Sequence, residues 1–571
     1  MNGNANENDD LLNFINNPNT IDLIFRDSEY FNEFLRERPQ IRVSQTVGDR
    51  FLIVHVGANY IDELIRELRT SIPNTIPLVL GLLGRESLEA AGIIQVQEQP
   101  FLDLKGNGVL IGIVDTGIDY TKNAFRYEDG TSKIQYLYDQ TITSTPPEGF
   151  FIGTEYTKEQ IDNALKAENP FDIVPSQDTV GHGTFIASIA AGRDDGEIIG
   201  AAPESELIVV KLKNAKQFIR DYLLIPPEQE NAYDTISLIL GIEYIIKKAQ
   251  QLNRPVAICI GLGTNLGGHD GFTITEEYLG LVATQTGVCI CTAAGNESQA
   301  RHHMQGIIAE QGATAPIDIR VGQNAGNIFV TIYNAPSDRL SISIRSPTGE
   351  VLERIPAKSG SITRSRLVLE RSTLIVSYFF PLEQSGSQLT TVRIIDAAPG
   401  VWTITVHGDI IIDGEFHSWL PITGFVSPNV EFLTPTPYTT IVVPATSIGT
   451  ITCGAYNSST NSLYTNTSWG PTRLPKISPD FVAPGVNVGG VYPTGNGTMT
   501  GTSVSTAIAT GACALLLQWG IVEGNNRSMS TFQARAFIIR GCERESGLIY
   551  PNSQWGYGKL NLINTFNLMR E

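Results

Sequence analysis

The chain has 571 residues, of which 42% are hydrophobic and 17% charged, and its formal net charge is -19. That length suits roughly two to four domains with a large buried core, and the balance is that of a globular protein rather than a disordered one. The negative charge argues against non-specific binding to nucleic acid or to an anionic membrane surface.

The opening residues, MNGNANENDDLLNF, hold neither a basic segment nor a long apolar core, so no secretory signal is visible. The chain is expected to be cytoplasmic at synthesis. No stretch is expected to reach the ~18 apolar residues of a membrane span. Residues 1–37, rich in Asn and acidic side chains, read as a short helical extension. The pattern then sharpens. RFLIVHVG (50–57) reads as a strand, ANYIDELIRELRTS (58–71) as an amphipathic helix and TIPLVLGLLG (75–84) as a buried strand. RESLEAAG (85–92) reads as a short helix and IIQVQ (93–97) as a final strand. This β-α-β-α-β order predicts a small open-faced sheet with helices on one side, closing a first unit over 1–97. A reading of IIQVQ as an edge strand that only links two units stays open.

Beyond residue 98, continuous apolar strands alternate with helices. The strands are GVLIGIVD (108–115), ESELIVVKL (204–212) and PVAICIGLG (255–263); the helices are HGTFIASIAAG (182–192) and TISLILGIEYIIKKAQ (235–250). Such runs predict an α/β domain with a parallel sheet covered on both faces, where ligands bind at the carboxyl ends of the strands. Asp115 sits at one such end. The alternation breaks over 312–446. There DIRVG, NIFVTIYN, LSISIRS, LIVSYFF, TVRIID and VWTITVHG are separated by turn clusters, which predicts an inserted β-sandwich of jelly-roll type. The parallel pattern resumes with TSIGTITCGAYN (446–457). The α/β domain is therefore expected in two parts, 98–311 and 447–571. Six cysteines (259, 289, 291, 453, 513 and 542) lie mostly in apolar runs and read as small buried hydrophobes, not as a disulfide framework or a zinc site.

Three motifs carry chemistry: VDTGID with Asp115, GHGT with His182 and GTSVS with Ser503. A serine nucleophile needs a base, and the base needs a carboxylate that fixes its tautomer and stabilises the imidazolium. Ser503 also opens the apolar helix SVSTAIATGACALLLQW, at its positive end. Singly, Asp115 reads equally as a turn residue, His182 as a cap and Ser503 as an N-cap. Together, in the order Asp, His, Ser and with AAGN (293–296) between the last two, they resemble the subtilisin-like serine proteases.

The resemblance implies further roles. Asn296 would donate to the oxyanion, with the Ser503 N–H as second donor. Gly261-Leu262-Gly263 would pair with a bound peptide as an added strand, although a plain loop-glycine cluster is the competing reading. Residues 1–97 would include a prodomain, a folding template that stays bound as inhibitor. The first substrate would be the chain itself, cut between Gln97 and Glu98, with Ile94 at an apolar subsite and Gln97 in the primary pocket beside Glu297. Other substrates would be proteins; no cofactor, nucleic acid or membrane is expected. No Asp-rich calcium loop is evident, and His302-His303, without acidic or thiol partners at metal spacing, reads as surface or pocket rim. Within the family the prodomain, the insertion before the serine and AAGNESQARHHMQG (293–306) look like the clostridial spore-germination (Csp) subtilases. That group implies limited proteolysis of a cortex-lytic pro-enzyme and a place in spores. Some of its members are pseudoproteases, so a latent sensor or scaffold is the alternative to an active enzyme. After the serine, VSTAI (504–508) replaces the MASPH of many subtilisins.

Overall fold

The computed structural model describes residues 11–17, 19–48, 50–68, 75–82, 88–194, 198–474 and 476–569. Its centre is a nine-stranded, mostly parallel sheet. In chain order its strands include β5 (Leu110–Asp115), β6 (Ile134–Asp139), β7 (Thr154–Thr157), β8 (Glu206–Lys211), β10 (Val256–Ile260), β12 (Val288–Ala293), β13 (Ile451–Asn457) and β14 (Phe481–Pro484). From one edge the order runs Ser462–Leu463, β13, β12, β10, β5, β8, β6, β7, with β14 also paired to β13. Both faces are covered, which is why the strands read as unbroken apolar runs. Ile111, Ile113 and Cys259 join the core beneath two helices, α4 (His182–Ala191) and α7 (Thr502–Leu517). Leu110, Val114 and Ile258 face α5 (Thr235–Leu252) and α6 (Ile274–Val282) on the other side. All six cysteines are buried and free.

The helical stretch Thr502–Val522 is long enough to cross a membrane and has a mean hydropathy of 1.5, so the expectation that no stretch approaches a span is corrected. It is buried almost throughout, because it runs through the middle of the protein beneath the sheet.

The N-terminal region departs most from expectation. Of the helical extension expected over 1–37, residues 1–10 fall outside the described residues, and the rest is broken by a strand: β1 (Thr20–Arg26) pairs along its whole length with β3 (Phe51–Gly57), which also pairs with β2 (Ile41–Val47). Helices α1 (Glu29–Arg36) and α2 (Ile61–Leu68) accompany this sheet. Phe25, Val54 and Leu64 pack on one side, while Ile24, Phe51 and Ile53 reach the α5 and α6 core on the other. The expected helix over 58–71 is a 3-10 turn followed by α2, and 69–71 fall outside the described residues. Of the expected strand over 75–84, β4 (Val79–Leu82) is extended, but it joins neither β1 nor β3. Residues 83–87, shared between that strand and the expected helix 85–92, also fall outside the described residues; Glu89–Ala91 is a 3-10 turn.

The expected strand IIQVQ is a helix, α3 (Ile93–Glu98). Its apolar residues fit either period, and docking decides between them. Ile93, Val96 and Gln97 form one buried helical face against the α4–α7 core.

Two antiparallel sheets fill His303–Phe432, beginning and ending before the expected 312 and 446. The six stretches read as strands are strands, and their inner faces share a core that includes Ile317, Val330, Ile344, Val376, Trp402 and Ile404. Trp419 carries one sheet onto the parallel domain, stacking on His269 with ring centroids 4.2 Å apart.

Candidate active site

Asp115 ends β5 and is buried, its Oδ1 accepting from the Thr116 N–H at 2.8 Å. His182 is the first residue of α4, entered through Gly181 at φ +88°. A helix start leaves backbone N–H groups without partners. Here the buried Asp178 supplies acceptors: Oδ1 takes the Gly181 N–H (2.7 Å) and Oδ2 the Thr184 N–H (2.9 Å) and hydroxyl (2.7 Å). Asp178 also accepts from the Thr116 hydroxyl (2.8 Å), which in turn accepts from the Gly183 N–H (2.9 Å). One carboxylate thereby joins the loop after Asp115 to the turn that holds His182.

The three motif residues converge. His182 Nδ1 lies 2.8 Å from Asp115 Oδ1, and Nε2 lies 3.0 Å from Ser503 Oγ. Ser503 is the second residue of α7, behind Gly501 at φ +141°. Gly261 stands directly over them. A side chain there would put its Cβ 2.9 Å from Ser503 Cβ and 3.3 Å from His182 Cε1, so only glycine lets this backbone approach so closely.

Asn296 reaches the same point from the loop after β12. Its Oδ1 accepts from the Thr502 N–H (3.2 Å), which orients the amide nitrogen as the remaining donor. The Thr502 hydroxyl accepts from the Gly295 N–H (3.1 Å), tying the two loops a second time.

Gly261-Leu262-Gly263 holds β11 (Leu262–Gly263), and an extended segment is already paired with it. Leu82 lies opposite Leu262 and Gly81 opposite Gly263, antiparallel. On its far side β4 pairs with β9 (Tyr233–Asp234), Val79 opposite Asp234 and Leu80 opposite Tyr233. The chain's own residues thus form the middle strand of a three-stranded sheet beside the triad.

Two expected site assignments are corrected. Glu297 does not offer its carboxylate to a pocket. It is buried, with Oε2 accepting from Asn265 Nδ2 (3.1 Å) and paired with His302 Nδ1 (2.8 Å), and Oε1 accepting from the Thr423 N–H (3.1 Å). Burial alone would raise its pKa, but the His302 and Thr423 bonds outweigh it and hold the group below the usual carboxylate range. His302 and His303 are accordingly buried rather than rim residues; His303 Nε2 lies 3.0 Å from His417 Nδ1.

Nor does the Gln97–Glu98 bond enter the cleft. It lies in α3, where Gln97 Nε2 donates to the carbonyls of Gly200 (3.1 Å) and Ala201 (2.9 Å). The Ala201 N–H bonds the Ile189 carbonyl near the far end of α4. Ile189 is seven residues along the helix from His182, so at the helical rise about 10 Å separates this anchor of Gln97's partners from the imidazole. Motif reading missed Asp178, Thr116, Thr502 and β4. The first three are ordinary turn and cap residues in sequence, and β4 carries no chemistry of its own.

The family model for the subtilase family matches residues 106–352 and 433–558. The structure of the Clostridium perfringens CspB protease superposes with a TM-score of 0.76 at 31% identity, covering 85% of this chain and 97% of that one. The subtilisin-like protease PopC of Myxococcus xanthus is 25% identical over 210 residues, 36% of this chain. The match spans about a third of PopC's own length (34%).

Proposed function

The chain belongs to the subtilase family, and from that premise we propose that it is an active serine endopeptidase. The observation that carries the reading is the single imidazole, His182, within hydrogen-bond reach of Asp115 on one nitrogen and Ser503 on the other. In the proposed reaction Ser503 Oγ attacks a peptide carbonyl while His182 Nε2 takes its proton. Asp115 keeps the proton on Nδ1 and stabilises the imidazolium. The oxyanion accepts from Asn296 Nδ2 and the Ser503 N–H, donors that are positioned before charge develops. His182 then protonates the leaving amine, and water releases the acyl group by the same route in reverse.

The substrates are proteins, taken as an extended strand along β11. Residues before the cleft act as a prodomain that the enzyme cuts from itself and that blocks the site while bound. Beyond itself the enzyme performs limited proteolysis on a pro-protein. The likeness to the CspB protease makes a spore cortex-lytic pro-enzyme the first candidate. A latent state, in which the chain serves as sensor or scaffold, has one observation in its favour: β4 already fills the strand position beside the triad.

A fluorophosphonate that labels active serines, followed by peptide mapping, tests the central claim. Labelling of Ser503 with turnover of a denatured protein substrate supports it. Labelling without turnover favours the latent state, and no labelling rejects the active-enzyme reading.

A further inference from the structure

Main-chain bonds hold the segment that occupies the cleft for longer than β11 alone accounts for. Thr235, the residue after β9, engages the backbone of Leu78 twice. Its hydroxyl accepts from the Leu78 N–H (3.0 Å), and its own N–H donates to the Leu78 carbonyl (2.9 Å). With the pairing of β4 to β11 and β9, the backbone is held from Leu78 to Leu82. Such bonds read no sequence, so an extended peptide of another sequence can make them equally well. Selection then falls to side chains.

The inserted sandwich presents a surface for them. Successive residues of a strand point to opposite faces of its sheet, and an antiparallel sheet with one face in water carries polar residues there. In the strand Ile328–Asn334, Val330 and Ile332 enter the sandwich core, yet Phe329 and Tyr333 on the opposite face are also apolar and buried. Phe379 in the strand Thr373–Phe379 and Leu389 in the strand Gln388–Ile395 belong to the same outer face. Tyr333 lies opposite Leu389, and Leu389 opposite Phe379, so these three form one row across neighbouring strands. The row shares a core with the buried Ile76 and with Leu223 and Leu266 of the catalytic body, and Leu78 packs against it. Ile76, Leu78 and the row border an apolar cleft of about 940 Å³. The face that the sandwich turns away from its own core is thus continuous with the strand position beside the triad.

We propose that this outer face is a second substrate-binding surface, which takes apolar side chains of a protein substrate well ahead of the bond to be cut. The inference rests on the reading of the chain as a serine endopeptidase. The occupant is an extended substrate segment that replaces residues 75–82. Its backbone pairs with β11 and with Thr235. Its side chains at the places of Leu78 and Ile76, three and five positions ahead of the residue opposite Gly263, meet the row Tyr333–Leu389–Phe379. Contacts so far from the reacting carbonyl supply binding energy to long substrates that short peptides lack. The substrate class is therefore a protein with an exposed, extended stretch that is apolar at these two places.

The test uses the full chain and peptidyl phosphonates, which bond covalently to an active serine and so need no turnover. A short probe carries the sequence of residues 79–82 ahead of a phosphonate analogue of alanine, and a long one the sequence of 75–82. A third is the long probe with serine at the places of Ile76 and Leu78, and a simple alkyl fluorophosphonate is the reference. The long probe should modify Ser503 at least about tenfold faster than the short one, as expected for burying two apolar side chains, and the serine-substituted probe should fall to the short probe's rate. Equal rates for the long and short probes overturn the proposal, as does a serine-substituted probe that keeps the full advantage. Leu389→Ala should cut the ratio of long to short rates about threefold or more, with the fluorophosphonate rate as control; an unchanged ratio removes the sandwich from the site. The three-probe comparison on the wild-type chain decides the matter even if this variant does not fold. Modification of Ser503 by the fluorophosphonate but by no peptidyl probe overturns the surface and leaves the protease reading standing. No modification by any probe rejects the active-enzyme reading and the surface with it.

Discussion

The molecule contains two Asp–His–Ser arrays of nearly the same geometry. In the parallel domain His182 lies 2.8 Å from Asp115 and 3.0 Å from Ser503. In the N-terminal sheet His55 Nδ1 lies 2.8 Å from Asp22, its cross-strand partner, and His55 Nε2 lies 2.8 Å from Ser44 Oγ. Distances do not tell them apart; surroundings do. Asp22 is also bonded to Lys213 Nζ (2.9 Å) and Lys216 Nζ (2.6 Å), so its charge is already committed to cations of the catalytic body. Burial pulls the His55 pKa down and the two lysines add to this, against the opposing pull of Asp22, which makes the ring a weak base. Ser44 lies where β2 and β3 slip register, has no helix start behind it and can also donate to the Ile53 carbonyl at 3.3 Å. Ser503 has a helix start, the Asn296 amide and a paired strand beside it. In the proposed function the first array faces a substrate carbonyl; the second joins the N-terminal sheet to the lysines of the parallel domain.

The sharpest way to break this contrast is to remove each serine in turn. Ser503→Ala should lower kcat by about 10⁶-fold, leaving only what binding and the oxyanion donors supply. Ser44→Ala should leave kcat within about twofold, as expected of a part-exposed substitution away from the chemistry. Initial rates on a peptide ester decide it, and comparable losses in the two variants would dissolve the distinction. Asn296→Ala comes next, with an expected fall of ~10²–10³ in kcat at nearly unchanged KM, because the amide acts on charge that appears only in the transition state. A change confined to KM would make Asn296 a binding residue.

Asp22→Asn probes the other array. It leaves two largely buried ammonium groups without their carboxylate, and breaking such a cluster costs about 3 kcal/mol or more. The loss should appear as a lower melting temperature and as earlier hydrogen exchange in β1 and β3, with peptide-ester turnover preserved. Unchanged protection in β1 and β3 would mean that the apolar contacts of this sheet hold it without the ion pairs.

The two regions also differ in how legible they were in sequence. The parallel sheet announced itself because strands buried on both faces give continuous apolar runs, and because each triad residue lies within a compact motif. The N-terminal sheet did not. TIDLIFR (20–26) is short, set in an Asn-rich stretch and buried on both faces, so no alternation marks it. IIQVQ fits strand and helix periods alike, and only its docking on the catalytic body selects the helix. Glu297 reads as a pocket residue in sequence because its partners Asn265, His302 and Thr423 come together only through the fold. The Asp22–His55–Ser44 array was invisible for a related reason. It is made by the pairing of three strands, two of which were not read as strands.

The smallest expected effect is on pH dependence, and its sign follows from which state binds the proton. His55 has a pKa below its ordinary value of 6.5 in the folded protein, so the unfolded chain takes up a proton first as pH falls. Its contribution to stability is therefore complete above about pH 7.5 and is lost as pH drops through 6.5 toward the folded value. The groups facing it are Asp22, Ser44, Lys213 and Lys216, and repulsion from the two lysines opposes protonation. Asp22 itself does not contribute there. Burial would raise its pKa, but Lys213, the bond from His55 and Lys216 together hold it well below 3.8, so its share is lost only in strong acid. One proton is worth at most about 1.4 kcal/mol per pH unit, which sets the ceiling on the His55 effect. His269, His303 and His417, under the sandwich, are also lowered by burial and add to the total slope. A melting curve of the whole protein therefore mixes the two sites. Hydrogen exchange separates them, because β1 and β3 amides report on the first and the strands Thr314–Val321 and Ile328–Asn334 on the second. His55→Gln should flatten the pH dependence of protection in β1 and β3 between pH 7.5 and 5.5 while leaving that of the sandwich strands as it was. If both sets of amides keep their slopes in the variant, His55 is not the proton-binding group, and the second array is only a set of hydrogen bonds between strands.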